Sequence, residues 1–434
     1  MAIYFGTDGI RGVANVQITP DLAIRCGNAL AQMGAKKVLL GRDTRTSGDM
    51  LACGLSCGLC AGGCNVVDVG VLPTPAVAYL TKKHGCDFGV VVSASHNPPE
   101  YNGIKIFSAQ GIKLCDEKEQ QVEQLMATTH LVPGENAGRH IHLDGMADYC
   151  TFLCDQANCS FSGLKVALDC SNGATGKSAK KVFKKLGAKV FAFFCNDDGK
   201  SINCGCGATS PHALAKKVAQ LGCDVGFCFD GDGDRVIAID EKGCIVNGDK
   251  ILYILAKDFF AQGKLKNNGV AGTFHTNMGI ENELDKLGIT LFRSDVGDKY
   301  VSSLMRAKGL CLGGEQSGHI VVGDCLGTGD GTLVALLLCK LVKTQPLSKL
   351  AQANLFEQTN CDVVVKDKMQ VINNDNLWQQ IKKQTAFFDG RVMVRASGTE
   401  PKIRIMAEGI NKDFLQQVAQ NIAQVIKDID ECVE

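Results

Sequence analysis

The sequence has no excess of charge and no long apolar run. Its 434 residues include 46 Lys and Arg and 46 Asp and Glu, so the formal net charge is zero. A chain without a broad basic field is not expected to bind nucleic acid or anionic membranes. The longest purely apolar run, residues 333–339, is far below the roughly 20 residues that span a bilayer. The opening MAIYFGTDGIRG lacks the basic and apolar regions of an export signal, so we expect a cytoplasmic protein.

Two nucleotide-binding motifs are also absent. The sequence contains no G-x-x-x-x-G-K-[ST], which disfavours a P-loop NTPase, and no G-x-G-x-x-G after a strand, which disfavours dinucleotide binding. Glycine is plentiful, with 49 residues. It predicts many tight turns and places where the backbone approaches a ligand.

Cysteine is unusually frequent, with 22 residues. Disulfide scaffolds are usually short and secreted, which this chain is not expected to be. Cys53, Cys57, Cys60 and Cys64 recur at helical spacing, and a buried cysteine behaves as a small apolar residue. We therefore expect these four to pack in the core, with a metal or redox role as the alternative.

Strand and helix patterns alternate along most of the chain. Thr19 as N-cap and Pro20 at the first helical position predict a helix start. Short apolar runs such as KVLL and FGVVV predict buried strands. Alternation of this kind predicts three α/β units with mostly parallel sheets. The last stretch predicts a small α+β domain ending in an amphipathic helix over residues 414–429.

The segment DGDGDR is the sharpest chemical feature. If it is extended, Asp230, Asp232 and Asp234 point the same way, about 6–7 Å apart. Like charges this close repel each other, so a cation is expected among them, and oxygen ligands suit Mg²⁺ or Ca²⁺. An EF-hand would also place an acid at Glu241, but it requires glycine where Arg235 stands. A solvated acidic turn without metal is the other alternative.

Four further segments supply the other candidate residues. SASHNP follows an apolar run and places Ser95 at the end of a strand, where open α/β sheets bind ligands. Lys105 brings a cation near it. A plain Ser/Asn turn is the alternative, and the neighbouring histidine is weak evidence for a hydrolase triad, since triad partners are neighbours in space.

The segment RASGTEPKIR combines arginines, hydroxyls and glycine, which suits a phosphate cradle. An exposed hairpin turn is the alternative. The segment GGEQSGH suits hydrogen bonding to sugar hydroxyls, although a lone histidine such as His319 is more often structural. The glycine-rich start GTDGIRG is expected to place Arg11 on a turn.

Taken together, GTDGIRG, SASHNPPEYNGIK, DGDGDR, GGEQSGHI and RASGTEPKIR resemble the α-D-phosphohexomutase superfamily, in that family's order and across nearly the whole chain. GGEQSGHI and the segment LPTPAVAYLT are most similar to the bacterial branch that acts on glucosamine phosphates. The resemblance implies an α/β fold of four domains around a central cleft, three related α/β domains and a smaller C-terminal α+β domain. The expected boundaries are 1–158, 159–250, 251–360 and 361–434.

The resemblance also implies a role for each motif residue. Ser95 would carry a phosphoryl group and, with Asp230, Asp232 and Asp234, would bind Mg²⁺. The residues expected around the transferred group and its proton are Arg11, Lys105, Arg235 and His319. The residues expected to hold the sugar and its second phosphate are Glu315, Ser317, Arg395, Ser397, Gly398, Thr399 and Arg404.

The implied reaction interconverts glucosamine 6-phosphate and glucosamine 1-phosphate through a phosphoserine enzyme and a 1,6-bisphosphate, which in trace amounts would also act as activator. The product would feed the synthesis of UDP-N-acetylglucosamine and cell-wall precursors. A mannose or glucose phosphate substrate is the alternative within the superfamily. A homodimer is also expected, since the family usually forms one.

Overall fold

The computed structural model describes residues 4–6, 8–127, 130–385, 388, 390–397 and 401–431. By its internal contacts the chain divides into two compact units. The first is Met1–Thr276 with Leu284–Gln352, and the second is Asn277–Glu283 with Ala353–Glu434. Among the described residues, no helix is both long enough and apolar enough to cross a membrane.

The first unit begins with a mixed sheet of strand order β1-β2-β6-β5-β3-β4-β7. Its strands are β1 Phe5–Gly6, β2 Gly9–Val13, β3 Lys37–Arg42, β4 Asn65–Val71, β5 Phe88–Val92, β6 Tyr101–Ser108 and β7 His140–His142. Its helices are α1 Pro20–Gln32, α2 Gly48–Ala61, α3 Thr74–Lys83, α4 Asp116–Met126 and α5 Met146–Ala157. The predicted start of α1 is confirmed, because Thr19 caps the helix by accepting the N–H of Leu22.

A second sheet follows, with strand order β12-β11-β10-β8-β9. Its elements are β8 Lys165–Asp169, α6 Thr175–Lys185, β9 Lys189–Phe193, α7 His212–Leu221, β10 Val225–Phe229, β11 Val236–Asp240 and β12 Ile245–Val246. Strands β8, β9 and β10 are parallel, whereas β10 and β11 form an antiparallel pair joined by the DGDGDR segment. Every residue of β10 and β11 is buried, as their apolar runs predict.

The third sheet has strand order β14-β13-β15-β16. The elements of this region are α8 Gly248–Ala261, a 3₁₀ turn Lys266–Asn268, β13 Gly269–Thr273, α9 Met278–Asp285, β14 Thr290–Ser294, α10 Asp298–Lys308, β15 Leu312–Gly314, β16 Ile320–Val322, α11 Gly331–Val342 and α12 Leu347–Leu350. The antiparallel hairpin of β15 and β16 carries the GGEQSGH segment at its turn.

The second unit contains an antiparallel sheet of order β17-β19-β18 with helices beside it. Its elements are β17 Glu357–Val364, α13 Lys368–Ile372, α14 Asp375–Thr385, β18 Gly390–Ala396, β19 Lys402–Gly409 and α15 Lys412–Glu431. Buried residues of α15 such as Leu415 and Ile422 pack in one cluster with Ile403 and Ile405 of the sheet. The predicted small α+β domain is therefore confirmed, while the exact domain boundaries stay a prediction.

The expectation that these four cysteines pack in the core is wrong for two of them, both on α2. Cys53 and Cys57 are exposed and Cys60 is partly exposed, whereas Cys64 is buried. The face of α2 that packs against α1 is instead made of leucines and glycines. A Cβ added at Gly58 would lie only 1.9 Å from the carbonyl oxygen of Ile24, so the two backbones approach too closely for any side chain there.

Candidate active site

Ser95 lies at the end of β5, as predicted, in a tight and buried loop. Its backbone is left-handed, with φ 52°, a conformation that is uncommon for a residue other than glycine. The Ser93 hydroxyl accepts the Ser95 N–H at 2.9 Å. The Ser95 hydroxyl donates to Oδ2 of Asp230 at 2.6 Å. The loop therefore aims Oγ of Ser95 at the aspartate segment.

The guanidinium of Arg45 holds this loop in place through hydrogen bonds. It is fully buried and pairs through Nε with Asp43 at 3.0 Å. Its other nitrogens donate to backbone carbonyls of the loop, at 3.0 Å for Ser95, 2.8 Å for Asn97 and 2.9 Å for Tyr101. Nδ2 of Asn203 also donates to the Ser95 and Asn97 carbonyls, at 2.9 and 3.0 Å. Two side chains thus satisfy carbonyl groups of this irregular backbone.

The segment from Asp230 to Arg235 is a turn between β10 and β11 and not an extended strand. The expectation that this segment is extended is therefore wrong. The chain must reverse direction here because β10 and β11 are antiparallel, and Gly233, with φ 74°, allows the reversal. The three carboxylates still converge. Thr74 reinforces the turn, since its hydroxyl donates to Oδ2 of Asp232 at 2.6 Å and its N–H to the Asp232 carbonyl at 2.8 Å.

The three aspartates fit a divalent cation. Each offers one carboxylate oxygen, and these oxygens lie within 4.8 Å of one another in a buried position. Oδ1 of Asp232 and Oδ1 of Asp234 are buried and have no hydrogen-bond donor among the described residues. Burial, then the neighbouring carboxylates of Asp234 and Asp232, raise the pKa of Asp230 well above its usual range. Mg²⁺ and Ca²⁺ bind at sites of this kind, where oxygen ligands carry negative charge that is not fully neutralised.

Lys105 enters this cluster from β6. Its Nζ lies 2.8 Å from Asp232, 3.1 Å from Asp234 and 3.2 Å from Asp8, and the side chain is 1% exposed. Burial favours the neutral amine, but the carboxylates of Asp232 and Asp234 outweigh it and raise the pKa of Lys105. The ammonium therefore stays charged at neutral pH and offsets part of the negative charge.

Two arginines lie at the same cluster. Arg11 is on strand β2 and not on a turn, because Gly9–Val13 pairs with both β1 and β6. It forms an ion pair with Asp8, and burial lowers its pKa. For Arg235, burial is outweighed by Asp234 and Asp230, which raise its pKa. Two permanent cations therefore face the site that the aspartates make anionic.

The hairpin turn after β15 brings His319 to the aspartates. Its Nδ1 lies 3.7 Å from Asp234, and its Nε2 accepts the N–H of Gly329 at 3.2 Å. Glu315 is buried and accepts the N–H of Gly297 at 3.0 Å, and burial raises its pKa. Ser317 is exposed on the same turn. His319 thus joins the aspartate cluster, while Glu315 and Ser317 belong to the adjoining loop.

Residues that the sequence reasoning missed complete the charge network. Lys113 forms ion pairs with both Asp8 and Asp298. Asp298 in turn lies 3.6 Å from Nε2 of His319. Lys113 comes from the region of the first sheet and Asp298 from that of the third. Their ion pair therefore links these two regions.

His96, next to Ser95, is also part of the site. Its Nδ1 is 3.3 Å from the Ser95 hydroxyl oxygen. Burial, then the nearby Arg235 and Arg11, lower the pKa of His96 to about 3. The ring is therefore neutral at neutral pH.

The proposed phosphate cradle lies in the second unit, on the hairpin of β18 and β19. Arg395 and Arg404 are directly opposite each other in the antiparallel register. The N–H of Ser397, which is buried, donates to the Lys402 carbonyl at 2.8 Å. The predicted roles of Gly398 and Thr399 fall outside the described residues. The hairpin thus sets two arginines side by side on neighbouring strands.

Family models match most of the chain. They are described as phosphoglucomutase/phosphomannomutase alpha/beta/alpha domain I over residues 2–132, domain II over 144–243, domain III over 247–357, and the C-terminal domain over 360–425. The four matches follow one another in order along the sequence. Most strands of the described sheets lie within the same stretches, whereas β7 and β12 fall between matches and β17 spans the gap between the last two.

Relatives and solved structures agree with these matches. The chain is 43% identical to a phosphoglucosamine mutase of Desulforudis audaxviator, over 99% of both chains. It is 44% identical to one of Bacillus licheniformis, over 98% of this chain and 99% of the relative.

A phosphoglucomutase/phosphomannomutase family protein of Burkholderia thailandensis has a similar fold, with a TM-score of 0.83, 24% identity and coverage of 98% and 97% of the two chains. An Aspergillus fumigatus N-acetylphosphoglucosamine mutase, solved with GlcNAc-6P and magnesium, gives a TM-score of 0.70 at 19% identity over 99% and 96%. The chain therefore belongs to the phosphoglucomutase/phosphomannomutase family of mutase enzymes.

Proposed function

We propose that the protein is a phosphoglucosamine mutase, which interconverts glucosamine 6-phosphate and glucosamine 1-phosphate. The observation that carries the proposal is the hydroxyl of Ser95, held 2.6 Å from Asp230 within a buried cluster of carboxylates and cations. Full-length relatives at 42–44% identity carry this name, which supports the choice of sugar. The reaction is thus a transfer of phosphoryl between Ser95 and the two ends of the sugar.

In the forward direction, phosphorylated Ser95 donates its phosphoryl group to the 1-hydroxyl of glucosamine 6-phosphate. The hydroxyl oxygen bonds to phosphorus, the bond from phosphorus to Oγ of Ser95 breaks, and the hydroxyl proton passes to a base. The 1,6-bisphosphate turns over, and its 6-phosphoryl returns to Ser95, which leaves glucosamine 1-phosphate. A trace of the bisphosphate rephosphorylates any enzyme that has lost its phosphoryl group.

The surrounding cations lower the energy of this transfer. Phosphoserine carries about −1.5 to −2 charges at neutral pH, and phosphoryl transfer depends mainly on positioning and charge neutralisation. Lys105, Arg11 and Arg235 supply positive charge beside Ser95. The candidate proton acceptors are Lys105, Arg11 and His319. Asp232 and Asp234 hold the proton on Lys105, and Arg11 is a permanent cation, so His319 is the favoured acceptor.

Mg²⁺ is the proposed metal, and Asp230, Asp232, Asp234 and Ser95 would hold it. The two buried carboxylate oxygens without donors support this assignment, because they require a cation or a proton. When bound, the ion neutralises negative charge on the phosphoryl oxygens. The aspartates themselves orient Ser95, since Asp230 accepts its hydroxyl hydrogen bond.

The rest of the substrate would be held by two loops. Glu315 and Ser317 would accept and donate hydrogen bonds to the sugar hydroxyls. The residues proposed for the second phosphate are Arg395, Ser397, Gly398, Thr399 and Arg404. We further propose that the enzyme is a cytoplasmic homodimer whose product is used for UDP-N-acetylglucosamine and cell-wall precursors.

Replacing Ser95 by alanine tests the phosphoserine role. We expect Ser95→Ala to lower mutase turnover at least about 10³-fold, because no other group can carry the phosphoryl. Its melting temperature should stay within about 2 °C of the parent. Ser162→Ala, at an exposed serine, is the matched control and should keep full activity. Near-normal turnover by Ser95→Ala would rule out the role.

Turnover on different sugar phosphates tests the substrate. We expect the highest kcat/KM with glucosamine phosphates when glucosamine, mannose and glucose phosphates are compared under one set of conditions. A clear preference for mannose 1-phosphate would indicate a phosphomannomutase instead. Net release of inorganic phosphate in place of isomerisation would indicate a phosphohydrolase.

A further inference from the structure

Two cysteines lie together at the ends of neighbouring parallel strands in the second sheet. Cys170 follows β8 and Cys195 follows β9 by two residues. The Cys170 N–H donates to the Phe193 carbonyl at 3.1 Å. The β-carbons of Cys170 and Cys195 lie 3.9 and 3.8 Å from the point where a Cβ on Gly176 would stand. Both side chains thus lie at the first turn of α6, where the two thiols form a hydrogen bond.

The two thiols differ in exposure and in acidity. Cys170 is buried and Cys195 is partly exposed. A hydrogen bond from the Cys170 thiol lowers the pKa of Cys195 to about 7 and, together with burial, raises the pKa of Cys170. By contrast, burial raises the pKa of Cys26 and of Cys206 to about 12. A large fraction of Cys195 is therefore thiolate at neutral pH, the form that attacks a disulfide.

The backbone beside both cysteines is strained. Ser171 and Asn172, which follow Cys170, have φ 50° and 53°, and Phe194, which precedes Cys195, has φ 51°. Left-handed backbone at residues other than glycine is unfavourable and persists only where the surroundings impose it. The Asn172 N–H also donates to the Phe194 carbonyl at 2.6 Å. The two strained loops are thus tied to each other where the thiols meet.

The loop after Cys170 also supports the aspartate turn. The Ala174 N–H donates to the Gly231 carbonyl at 2.9 Å. A Cβ added at Gly173 would lie 2.2 Å from the same carbonyl oxygen. Gly231 stands between Asp230 and Asp232, so a shift of the Cys170 loop is transmitted directly to these carboxylates.

We propose that Cys170 and Cys195 form a reversible disulfide, with a low-molecular-weight disulfide as oxidant, and that its formation loosens the packing of the aspartate turn. The inference stands apart from the proposed function, since it requires only the two thiols and the loop contacts. It assigns a chemical role to two cysteines that the phosphoryl transfer does not use.

The chemistry is a pair of thiol–disulfide exchanges. The Cys195 thiolate attacks one sulfur of the oxidant, forms a mixed disulfide and releases one thiolate. Cys170 then loses its proton and attacks Sγ of Cys195, which releases the second thiolate. The two protein thiols are oxidised by two electrons, and the oxidant is reduced to two thiols.

Peptide mapping of the full-length protein after treatment with oxidised glutathione tests the disulfide. Trypsin should release residues 166–177 and 190–200 as peptides that each contain one cysteine. We expect these two peptides joined, with a mass about 2 Da below their sum, and separated again by dithiothreitol. Two freely alkylated peptides after oxidation, or Cys195 joined to a different cysteine, would overturn the proposal.

Variants assign the order of the two steps. Cys195→Ser should abolish the linked peptide, whereas Cys170→Ser should stop at the mixed disulfide on Cys195. Cys204→Ser, at an exposed cysteine nearby, is the matched control and should leave the link intact. Loss of the link in the control variant would contradict the assignment.

Hydrogen exchange tests the coupling to the aspartate turn. We expect peptides that cover residues 226–236 to exchange at least about threefold faster in the oxidised protein than in the reduced one. Cys195→Ser treated with the same oxidant should show no change. A disulfide that forms without altering this exchange would overturn the coupling. Neither readout depends on mutase activity, so failure here is distinct from failure of the proposed function.

Discussion

At the scale of single residues, Arg45 shows what the loop of Ser95 requires from a residue outside it. The loop places Ser95 in a left-handed conformation, and its backbone carbonyls point inward. The planar guanidinium of Arg45 donates hydrogen bonds to these carbonyls. A lysine carries the same charge on a single nitrogen and cannot reach several carbonyls in the same plane. The planar arrangement of donors on the arginine, more than its positive charge, therefore makes Arg45 necessary for the shape of this loop.

We expect Arg45→Lys to lower kcat about 10- to 100-fold, because a displaced Ser95 loses its alignment with Asp230. KM should change by less than about threefold, since Arg45 contacts only the protein. The unfolding free energy should fall by about 2–4 kcal/mol, the cost of leaving buried carbonyls and Asp43 underpaired.

Steady-state kinetics and urea unfolding measure both effects. Arg139→Lys, at an exposed arginine, is the control and should match the parent in each. An Arg45→Lys variant with normal kcat would show that the loop holds its shape without the fork.

At the scale of elements, the packing of α1 on α2 depends on glycine and not on cysteine. Gly54 and Gly58 on α2 and its C-cap Gly62 recur every four residues, a helical spacing close to that of the four cysteines. Glycine on this face lets the backbones of the two helices touch. The face that packs on α1 therefore includes the glycines and leucines but not the cysteines. The cysteines on the neighbouring face are left towards solvent.

Gly58→Ala tests this packing. Alanine favours a helix over glycine by about 1 kcal/mol, but the added Cβ would stand 1.9 Å from the Ile24 carbonyl oxygen. We expect the overlap to dominate and to lower the unfolding free energy by about 3 kcal/mol. Thermal unfolding of the purified variants measures the difference.

Gly176→Ala is the matched control, because a Cβ on that helical glycine would meet its nearest neighbour at 3.8 Å. Its stability should equal the parent's or exceed it slightly. Equal stability of Gly58→Ala and the parent would mean that α1 and α2 can move apart without loss.

Much of the fold could be predicted from the sequence, whereas several residues of the site could not. Apolar runs and turn residues predicted most strands near where they lie, because burial on both faces leaves an unbroken apolar signal. Strand β6 was missed, since its sequence YNGIKIFS mixes polar and apolar residues around the buried Lys105. Arg45, Lys113 and Asp298 were missed as well, because long-range ion pairs leave no local pattern.

At the scale of the whole molecule, zero net charge conceals a strongly charged interior. Lys105 and several carboxylates are buried together, with the partly exposed Lys113 beside them, so their attraction is less screened than in water. Burial also leaves some acids without a cation. Asp330 caps α11 by accepting the Leu333 N–H at 2.9 Å and accepts the Tyr149 hydroxyl at 3.0 Å.

Burial raises the pKa of Asp330 to about 6. The folded protein therefore binds this proton more tightly than the unfolded chain, so the resulting stability is present below pH ~4 and lost as the pH rises through 6. Asp330→Asn removes the titration. We expect its unfolding free energy, relative to the parent, to rise by about 1.4 kcal/mol between pH 5 and pH 7.5.

Urea unfolding at the two pH values measures this change. Asp324→Asn, at an exposed aspartate, is the control and should show no comparable change. A pH-independent difference between Asp330→Asn and the parent would mean that Asp330 is ionised throughout.

The central claim is that Ser95 carries the phosphoryl group, and mass analysis tests it most directly. The purified protein is incubated with a hexosamine 1,6-bisphosphate and then mapped. Trypsin should release residues 84–105, which contain both Ser93 and Ser95. The account predicts one added phosphoryl of about 80 Da, placed on Ser95 by fragmentation and absent from Ser95→Ala. A phosphoryl group on another residue, or none in protein that turns over, would contradict it.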